Sequence, residues 1–425
     1  MTITATTLHD QARAASMASR RLAATSAEVK TAALNAIADG IEANREEILR
    51  VNEQELVTAE RDGLDFQGLE RMTLSDVRVQ QMADAARNIA AFDDPIGEVL
   101  EQRELPNGLQ LERVRVPLGV IGVIFESRPN VTIDIATLCL KSGNGVVLRG
   151  GRACIRTNTV LAGIVKDAIE SAGIPRDVVQ FVESTDRALI KEMLEMDDVI
   201  DLMIPRGSAS LVNFVGETAK MPAITGGVGV CHTYVDADAN LDDALAIVVN
   251  AKTRRPTVCN ALDTVLIHQA VAREFLPDLA TEFGVHKVEL RADTRAMSVL
   301  DALADGVKVV PAKSDDFGTE FLALIASVKI VDSMDEALEH IAEYGSKHSE
   351  AVVSENGETI ERFLNEVDSG VVFANTSTYF NDGGEFGLGA EVAISTSKLH
   401  ARGPMGLKEI TSYKWKVRGQ GQIRQ

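Results

Sequence analysis

Basic residues are in short supply. Lys and Arg number 43 against 63 Asp and Glu, a formal net charge of −20. That balance repels polyanions and argues against nucleic acid and anionic membranes as partners. Any anionic substrate must then be captured by a local cationic site. Cysteine is scarce as well: Cys139, Cys154, Cys231 and Cys259 are the whole set. None lies in a C-x-x-C pair, so neither a redox couple nor a zinc knuckle is expected. The histidines at 9, 232, 268, 286, 340, 348 and 400 show no zinc-ligand spacing and no H-E-x-x-H. No metal site is expected. G-x-S-x-G is missing, and so are G-x-G-x-x-G and the P-loop pattern. Long apolar runs are lacking too. Residues 116–125 and 223–235 fall far short of the ~18 residues of a membrane span, and no N-terminal stretch reads as a signal peptide. A cytoplasmic chain with reduced thiols is the expectation.

What is present is ordinary globular material. Hydrophobic residues make up 45% and charged residues 25% of 425, enough chain for roughly three domains and a core that needs no disulfides. Residues 8–93 contain no proline. Ala33, Leu34, Ile37, Ile41, Ile48 and Leu49 fall at helical spacing there, predicting a helical N-terminal segment. Residues 97–116 carry two polar alternating runs around Pro106-Asn107-Gly108, a hairpin signal. From residue 119 strand-like and helix-like runs alternate: GVIGVIF, NGVVLRGG, VVQFVES, RALIKEMLEM, DLMIPRGS, SLVNFVGETA. A second such series begins near Cys231 with CHTYVD, LDDALAIVVNAKT and DTVLIHQ and ends at VVFAN. Alternation of this kind predicts α/β units with mostly parallel sheets.

Four places could carry chemistry. Cys259 lies in NAKTRRPTVCNALDT, between a predicted helix over 241–253 and a strand over 264–268, with Arg254 and Arg255 just upstream. Neighbouring cations favour the thiolate, so Cys259 is either a nucleophile or a buried structural cysteine. Asn130 follows the first long strand, where α/β folds place ligands. It is either an oxyanion donor or a turn residue. Two turns, Arg149-Gly150-Gly151-Arg152 and Arg206-Gly207-Ser208, pass from strand to helix as anion-binding turns do. Gly226 and Gly227, in ITGGVG, line a cofactor or permit a crossover between domains.

In order, VPLGVIGVIFESRPNVT, NGVVLRGG, IPRGS, ITGGVGVCHTYVD, KTRRPTVCNALDT, GTEFLALIASVKIV and LHARGPMGLKEITSYKW resemble the aldehyde dehydrogenase superfamily. Within it they resemble the gamma-glutamyl phosphate reductase family. The resemblance covers nearly the whole chain. It implies two doubly wound parallel-sheet domains plus a small β oligomerisation element. Residues 1–96 and 117–230 would bind the cofactor, 231–390 would carry catalysis, and 97–116 with 391–425 would assemble a homo-oligomer.

The resemblance makes Cys259 the nucleophile and Asn130 the oxyanion amide. It places Arg149 where many relatives have a cofactor-contacting lysine, and Ser208 on the cofactor pyrophosphate. Glu320-Phe321 resembles the Glu-x-Phe that holds the nicotinamide ribose, with the spacer missing. Ile224 stands where hydrolytic relatives keep a water-activating Glu. The activity implied is NADPH-dependent reduction of L-glutamyl 5-phosphate to glutamate 5-semialdehyde, through a thioacyl-enzyme, in proline biosynthesis. Arg254 or Arg255 would clamp the substrate's anionic groups, and Arg149 and Arg152 suit the 2′-phosphate of NADP. Association with a glutamate 5-kinase is a partner the resemblance raises. The alternatives are an aldehyde dehydrogenase using coenzyme A or another acyl phosphate, and a non-catalytic nucleotide-binding scaffold.

Overall fold

The computed structural model describes residues 7–226, 228–300 and 307–424. Five helices come first: α1 (Leu8–Leu22), α2 (Ala27–Ala43), α3 (Arg45–Arg61), α4 (Phe66–Met72) and α5 (Asp76–Ala91). Their starts follow from local chemistry. Thr7, Ser26, Asp65 and Ser75 each accept a hydrogen bond from a first-turn amide, satisfying donors that a helix start leaves open. Ala33, Leu34, Ile37, Ile41 and Ile48 are buried, as their spacing predicts.

The chain then forms β1 (Val99–Glu104), β2 (Gln110–Pro117), β3 (Val120–Phe125), α6 (Asn130–Lys141), β4 (Gly145–Gly150), α7 (Ile155–Ser171), β5 (Val179–Phe181), α8 (Ala188–Leu194), β6 (Leu202–Arg206) and α9 (Ala209–Thr218). β3 and β4 are buried at every residue, the signature of parallel strands covered on both faces. The second series is β7 (Cys231–Val235), α10 (Leu241–Thr253), β8 (Leu262–His268), α11 (Gln269–Val285), β9 (Glu289–Ala292), α12 (Thr294–Leu300), β10 (Val309–Pro311), β11 (Ile325–Val331), α13 (Met334–Tyr344), β12 (Ser349–Val353), α14 (Gly357–Glu366) and β13 (Val371–Ala374). Short strands β14 (Ala393–Ser395) and β15 (Gly403–Met405) precede the tail strand β16 (Thr411–Arg418).

Contacts divide the chain into two compact units. The first comprises the residues through Thr225, Gly387–Ala393 and the residues from Met405 onward. Its parallel sheet has the order β5-β4-β3-β6. Strand order reverses beside β3, so the switch point where open α/β sheets bind ligands lies between β3 and β6. A second, antiparallel sheet of this unit has the order β1-β2-β16. Its turn spans residues 105–109, with Gly108 at φ +81°, in the left-handed region where glycine costs nothing. Arg113 lies 5.0 Å from the Tyr413 ring and 5.8 Å from the Trp415 ring.

The second unit, Gly226–Phe386 with Ile394–Pro404, holds a seven-stranded parallel sheet of order β10-β9-β11-β8-β7-β12-β13. Val265, Ile267, Phe275, Leu279, Phe283, Leu290 and Val328 pack one core, and Tyr234, Leu266, Val352 and Phe363 another. The sequence pattern predicts a helix over 270–283 leading to a strand at 307–312; the structure adds β9 and α12 between them. β9 is only four residues, and its polar Glu289 and Arg291 mask a short buried strand.

One tertiary contact joins distant segments of the first unit. Glu55 of α3 is 6% exposed. Its carboxylate accepts the Arg156 amide (2.7 Å), the Thr157 amide (2.9 Å) and the Thr157 hydroxyl (2.6 Å) at the start of α7. Removing it leaves buried donors without a partner. Glu55→Ala is expected to lower stability by roughly 2–4 kcal/mol in urea unfolding, with Glu55→Gln intermediate. A loss too small to measure would contradict this role.

Candidate active site

Cys259 lies on the loop between α10 and β8 and is half-buried. The other three thiols are buried. Burial pushes Cys139 and Cys231 well above the usual thiol range and Cys154 up to about 12. A buried thiol in such surroundings is inert, so geometry leaves Cys259 as the nucleophile candidate. Its loop is held from several sides. A Cβ on Gly229 would fall 1.6 Å from the Cys259 carbonyl oxygen, so only glycine fits at 229. The Cys231 thiol donates to that same oxygen at 3.2 Å. Asn260 donates to the carbonyls of Tyr379 and Asn381, both at 3.1 Å, and the Thr378 hydroxyl donates to the Asn260 carbonyl at 2.8 Å.

Glu320 and Phe321 belong to the same unit and meet this loop's surroundings. The Gly229 amide donates to Glu320 Oε1 at 2.9 Å, and the Phe321 amide to Asp263 Oδ1 at 3.1 Å. The Arg291 guanidinium lies 4.9 Å from the centre of the Phe321 ring. Burial pushes Asp263 up to about 6, opposed by Lys252, whose ammonium stands 3.5 Å away. Arg254 and Arg255 are exposed, and Arg254 lies 5.0 Å from the Tyr379 ring. Gly226 approaches the Ile394 carbonyl so closely that a Cβ would come within 2.3 Å of it. That gives it a packing role. Gly227 lies outside the described residues.

Asn130, Arg149, Arg206 and Ser208 belong to the first unit. Asn130 opens α6, and its Nδ2 donates to Asp134 Oδ2 at 2.8 Å. An ionised carboxylate only accepts, so it fixes which end of the amide it meets and leaves the second N–H of Asn130 to point elsewhere. Burial pushes Asp134 up to about 6, against the Asn130 hydrogen bond and Arg206, with Glu391 adding to the rise.

The α9 start sits at the switch point. There the Ser208 amide donates to Glu126 Oε2 at 2.8 Å, and a Cβ on Gly207 would lie 2.4 Å from the same oxygen. This helix start therefore already holds an anion, supplied by the chain itself. Without Glu126 the same amide would be a free donor of the kind that suits an anion. Arg206 faces Glu391 at 3.9 Å. Arg149 is 7% exposed. It reaches the Thr185 and Asp186 carbonyls at 3.4 and 3.5 Å, while its Nε has no hydrogen-bond partner among the described residues. Gly150 and Gly151 pack against Asn158 and against the backbone of residues 125–127. The turn they form leads to α7, whose first amides Glu55 occupies. Sequence reading missed both Glu55 and Glu126. Glu126 follows a strand directly, a position worth testing as a cap; nothing local marks Glu55, which acts across 101 residues.

Residues 1–299 match the aldehyde dehydrogenase family. The gamma-glutamyl phosphate reductase of Dehalococcoides mccartyi is 51% identical over 98% of this chain and 98% of its own length. That of an Escherichia coli O81 strain is 48% identical over 95% and 96%. The crystal structure of gamma-glutamyl phosphate reductase from Thermotoga maritima superposes with a TM-score of 0.94 at 40% identity, covering 98% of this chain and 99% of that one.

Asp134 yields a pH prediction. The folded chain keeps its proton up to about pH 6, whereas an unperturbed aspartate loses it near 3.8. Between those values the unfolded chain binds fewer protons, so this group lowers stability as pH rises from about 4 to 6, and the cost persists above. Asp134→Asn removes the charge and is expected to raise stability at pH 8 by at most about 3 kcal/mol, with no gain near pH 4. Thermal melts of both proteins at the two pH values check this; a destabilised variant at pH 8 would contradict it.

Proposed function

Because this chain belongs to the aldehyde dehydrogenase family, and within it to the gamma-glutamyl phosphate reductases, we infer that it reduces L-glutamyl 5-phosphate to L-glutamate 5-semialdehyde and phosphate. This is a step of proline biosynthesis. The observation that carries the chemistry is the contrast among thiols: Cys259 alone is not buried, and a backbone contact holds its loop.

The Cys259 sulfur attacks the acyl carbon, the bond from that carbon to the phosphate oxygen breaks, and phosphate leaves with its electron pair. A thioacyl-enzyme results. Negative charge develops on the acyl oxygen during attack, and the Asn130 amide is assigned to stabilise it. A nicotinamide dinucleotide, when bound, supplies the hydride. The thiohemiacetal on Cys259 then collapses and returns the thiolate. Ser208 at the α9 start is the donor assigned to the cofactor pyrophosphate, with Arg206 beside it. The NADP form is favoured by Arg152, which is exposed on the turn after β4 and suits a 2′-phosphate. Glu320 and Phe321 are assigned to the nicotinamide ribose and ring. Arg254 and Arg255 supply positive charge near the nucleophile on an otherwise acidic chain.

The first unit thus takes the cofactor and the second carries the nucleophile. The sheet β1-β2-β16 is assigned to homo-oligomer assembly. Its outer strand exposes Tyr413, Trp415 and Val417, and an open strand edge favours pairing with another chain.

Replacing the nucleophile tests the reading directly. Cys259→Ala is expected to lower turnover roughly 10⁴-fold or more while thermal stability stays near that of the parent. Cys139→Ser, Cys154→Ser and Cys231→Ser are expected to keep turnover wherever they fold. Retained turnover in Cys259→Ala would overturn the mechanism.

A further inference from the structure

The second unit's sheet is parallel, so the loops that enter its strands lie along one edge. Cys259 is in the loop entering β8, Gly229 and Val230 enter β7, Ser346 and Lys347 enter β12, and Asp368 and Gly370 enter β13. β8, β7, β12 and β13 are neighbours in that order. Contacts make the edge continuous. Gly229 packs on the Cys259 carbonyl, the Val230 amide donates to Ser346 Oγ at 2.8 Å, and the Gly370 amide donates to the Lys347 carbonyl at 2.9 Å. Three strand spacings put the Asp368 loop about 14 Å along the edge from the Cys259 loop.

Three cations converge on Asp368. Arg402 Nη1 lies 2.7 Å from Oδ1 and Lys398 Nζ 2.7 Å from Oδ2, with Lys347 Nζ at 3.6 Å. Arg402 Nη2 also donates to the Asp368 carbonyl at 2.9 Å. The cluster carries two more positive charges than negative on a chain whose formal charge is −20. Exposed ion pairs contribute little stability, and both lysines are more than half exposed. Stability alone is a weak reason to gather three cations there.

The charge pattern matches one kind of group. An α-amino acid head presents a carboxylate beside an ammonium, and the cluster presents cations beside a carboxylate. Resting on the function inferred above, we propose that Lys347, Lys398 and Arg402 bind the α-carboxylate of the glutamyl substrate and that Asp368 receives its α-ammonium. The distance suits the substrate. Four carbon–carbon bonds, about 5 Å extended, separate the acyl carbon from the α-carboxyl carbon, and the long lysine and arginine side chains span the rest. Catalysis itself stays with Cys259; these four residues position the substrate and select it.

The test runs in the oxidative direction with phosphate and NADP+, comparing L-glutamate 5-semialdehyde with butanal, which has no amino-acid head. Arg402→Gln is expected to lower the ratio of kcat/KM for the semialdehyde to that for butanal roughly 10- to 100-fold, mainly through KM. Arg402→Lys should recover part of it. Lys398→Gln, at an exposed position, should lower the ratio less and serves if Arg402→Gln does not fold. A second readout needs no turnover: the rate of Cys259 alkylation by iodoacetate relative to iodoacetamide should fall in Lys398→Gln. An unchanged ratio, or equal losses on both aldehydes, overturns the proposal. A parent protein that oxidises butanal but not glutamate 5-semialdehyde overturns the inferred function, and the proposal with it.

Discussion

The structure around the nucleophile depends on one backbone contact. Gly229 lies so close to the Cys259 carbonyl that any side chain at 229 would overlap it. Interiors pack at crystal-like density and do not absorb such overlaps. The contact fixes the loop between α10 and β8 from one side, while the Asn260 amide and carbonyl fix it from the other. The same short segment brings the Gly229 amide to Glu320 and the Val230 amide to Ser346. The nucleophile loop, the Glu320–Phe321 pair and the loop entering β12 are thereby tied to a single glycine-bearing segment. Rigidity of this kind suits covalent catalysis, where a small misplacement of the attacking atom is costly.

A second theme is how an acidic chain satisfies its own helix starts. Glu55 caps α7 and Glu126 caps α9. Each strand-to-helix turn that reads as an anion site thus holds a carboxylate of the protein. The two differ in exposure. Glu55 is buried against its donors, whereas the Glu126 contact is exposed and is the cheaper of the two to break. Asp134 differs, accepting from the Asn130 side chain and not from a backbone amide. Its charge is held where burial opposes it, next to the amide assigned to the oxyanion.

The alternation of apolar runs made most of the architecture legible. β3 and β4 are runs dominated by Val, Ile and Leu and can be read unaided; β7 and β8 mix apolar residues with His, Thr and Asp and are read from their alternation with helix-like runs, and the ladder of apolar residues in α2 and α3 marks one buried face. β9 was not legible, because half of its four residues are charged and pair with Asp316 and Lys308. Cys259 stood out through its arginines, yet the structure gives a different reason to single it out: the other thiols are buried. Glu55, Glu126 and Asp368 were beyond reach. Their partners lie 21 to 102 residues away, and neither period nor spacing records such contacts.

In the inferred reaction Cys259 carries an acyl group whose release needs phosphate. On the resemblance drawn from the sequence, Ile224 stands where hydrolytic relatives keep Glu; it is buried at 3% exposure, and an alkyl side chain cannot deprotonate water. General-base help typically supplies ~10²–10⁴-fold, and phosphate, a dianion near neutral pH, needs less of it than water does. The most direct measurement is intact-protein and peptide mass spectrometry after mixing the enzyme with glutamate 5-semialdehyde and NADP+ without phosphate. The account predicts one glutamyl adduct per chain, on the peptide containing Cys259, formed with one equivalent of NADPH and discharged on adding phosphate. Continuous NADPH production without phosphate and with no adduct on Cys259 would contradict it.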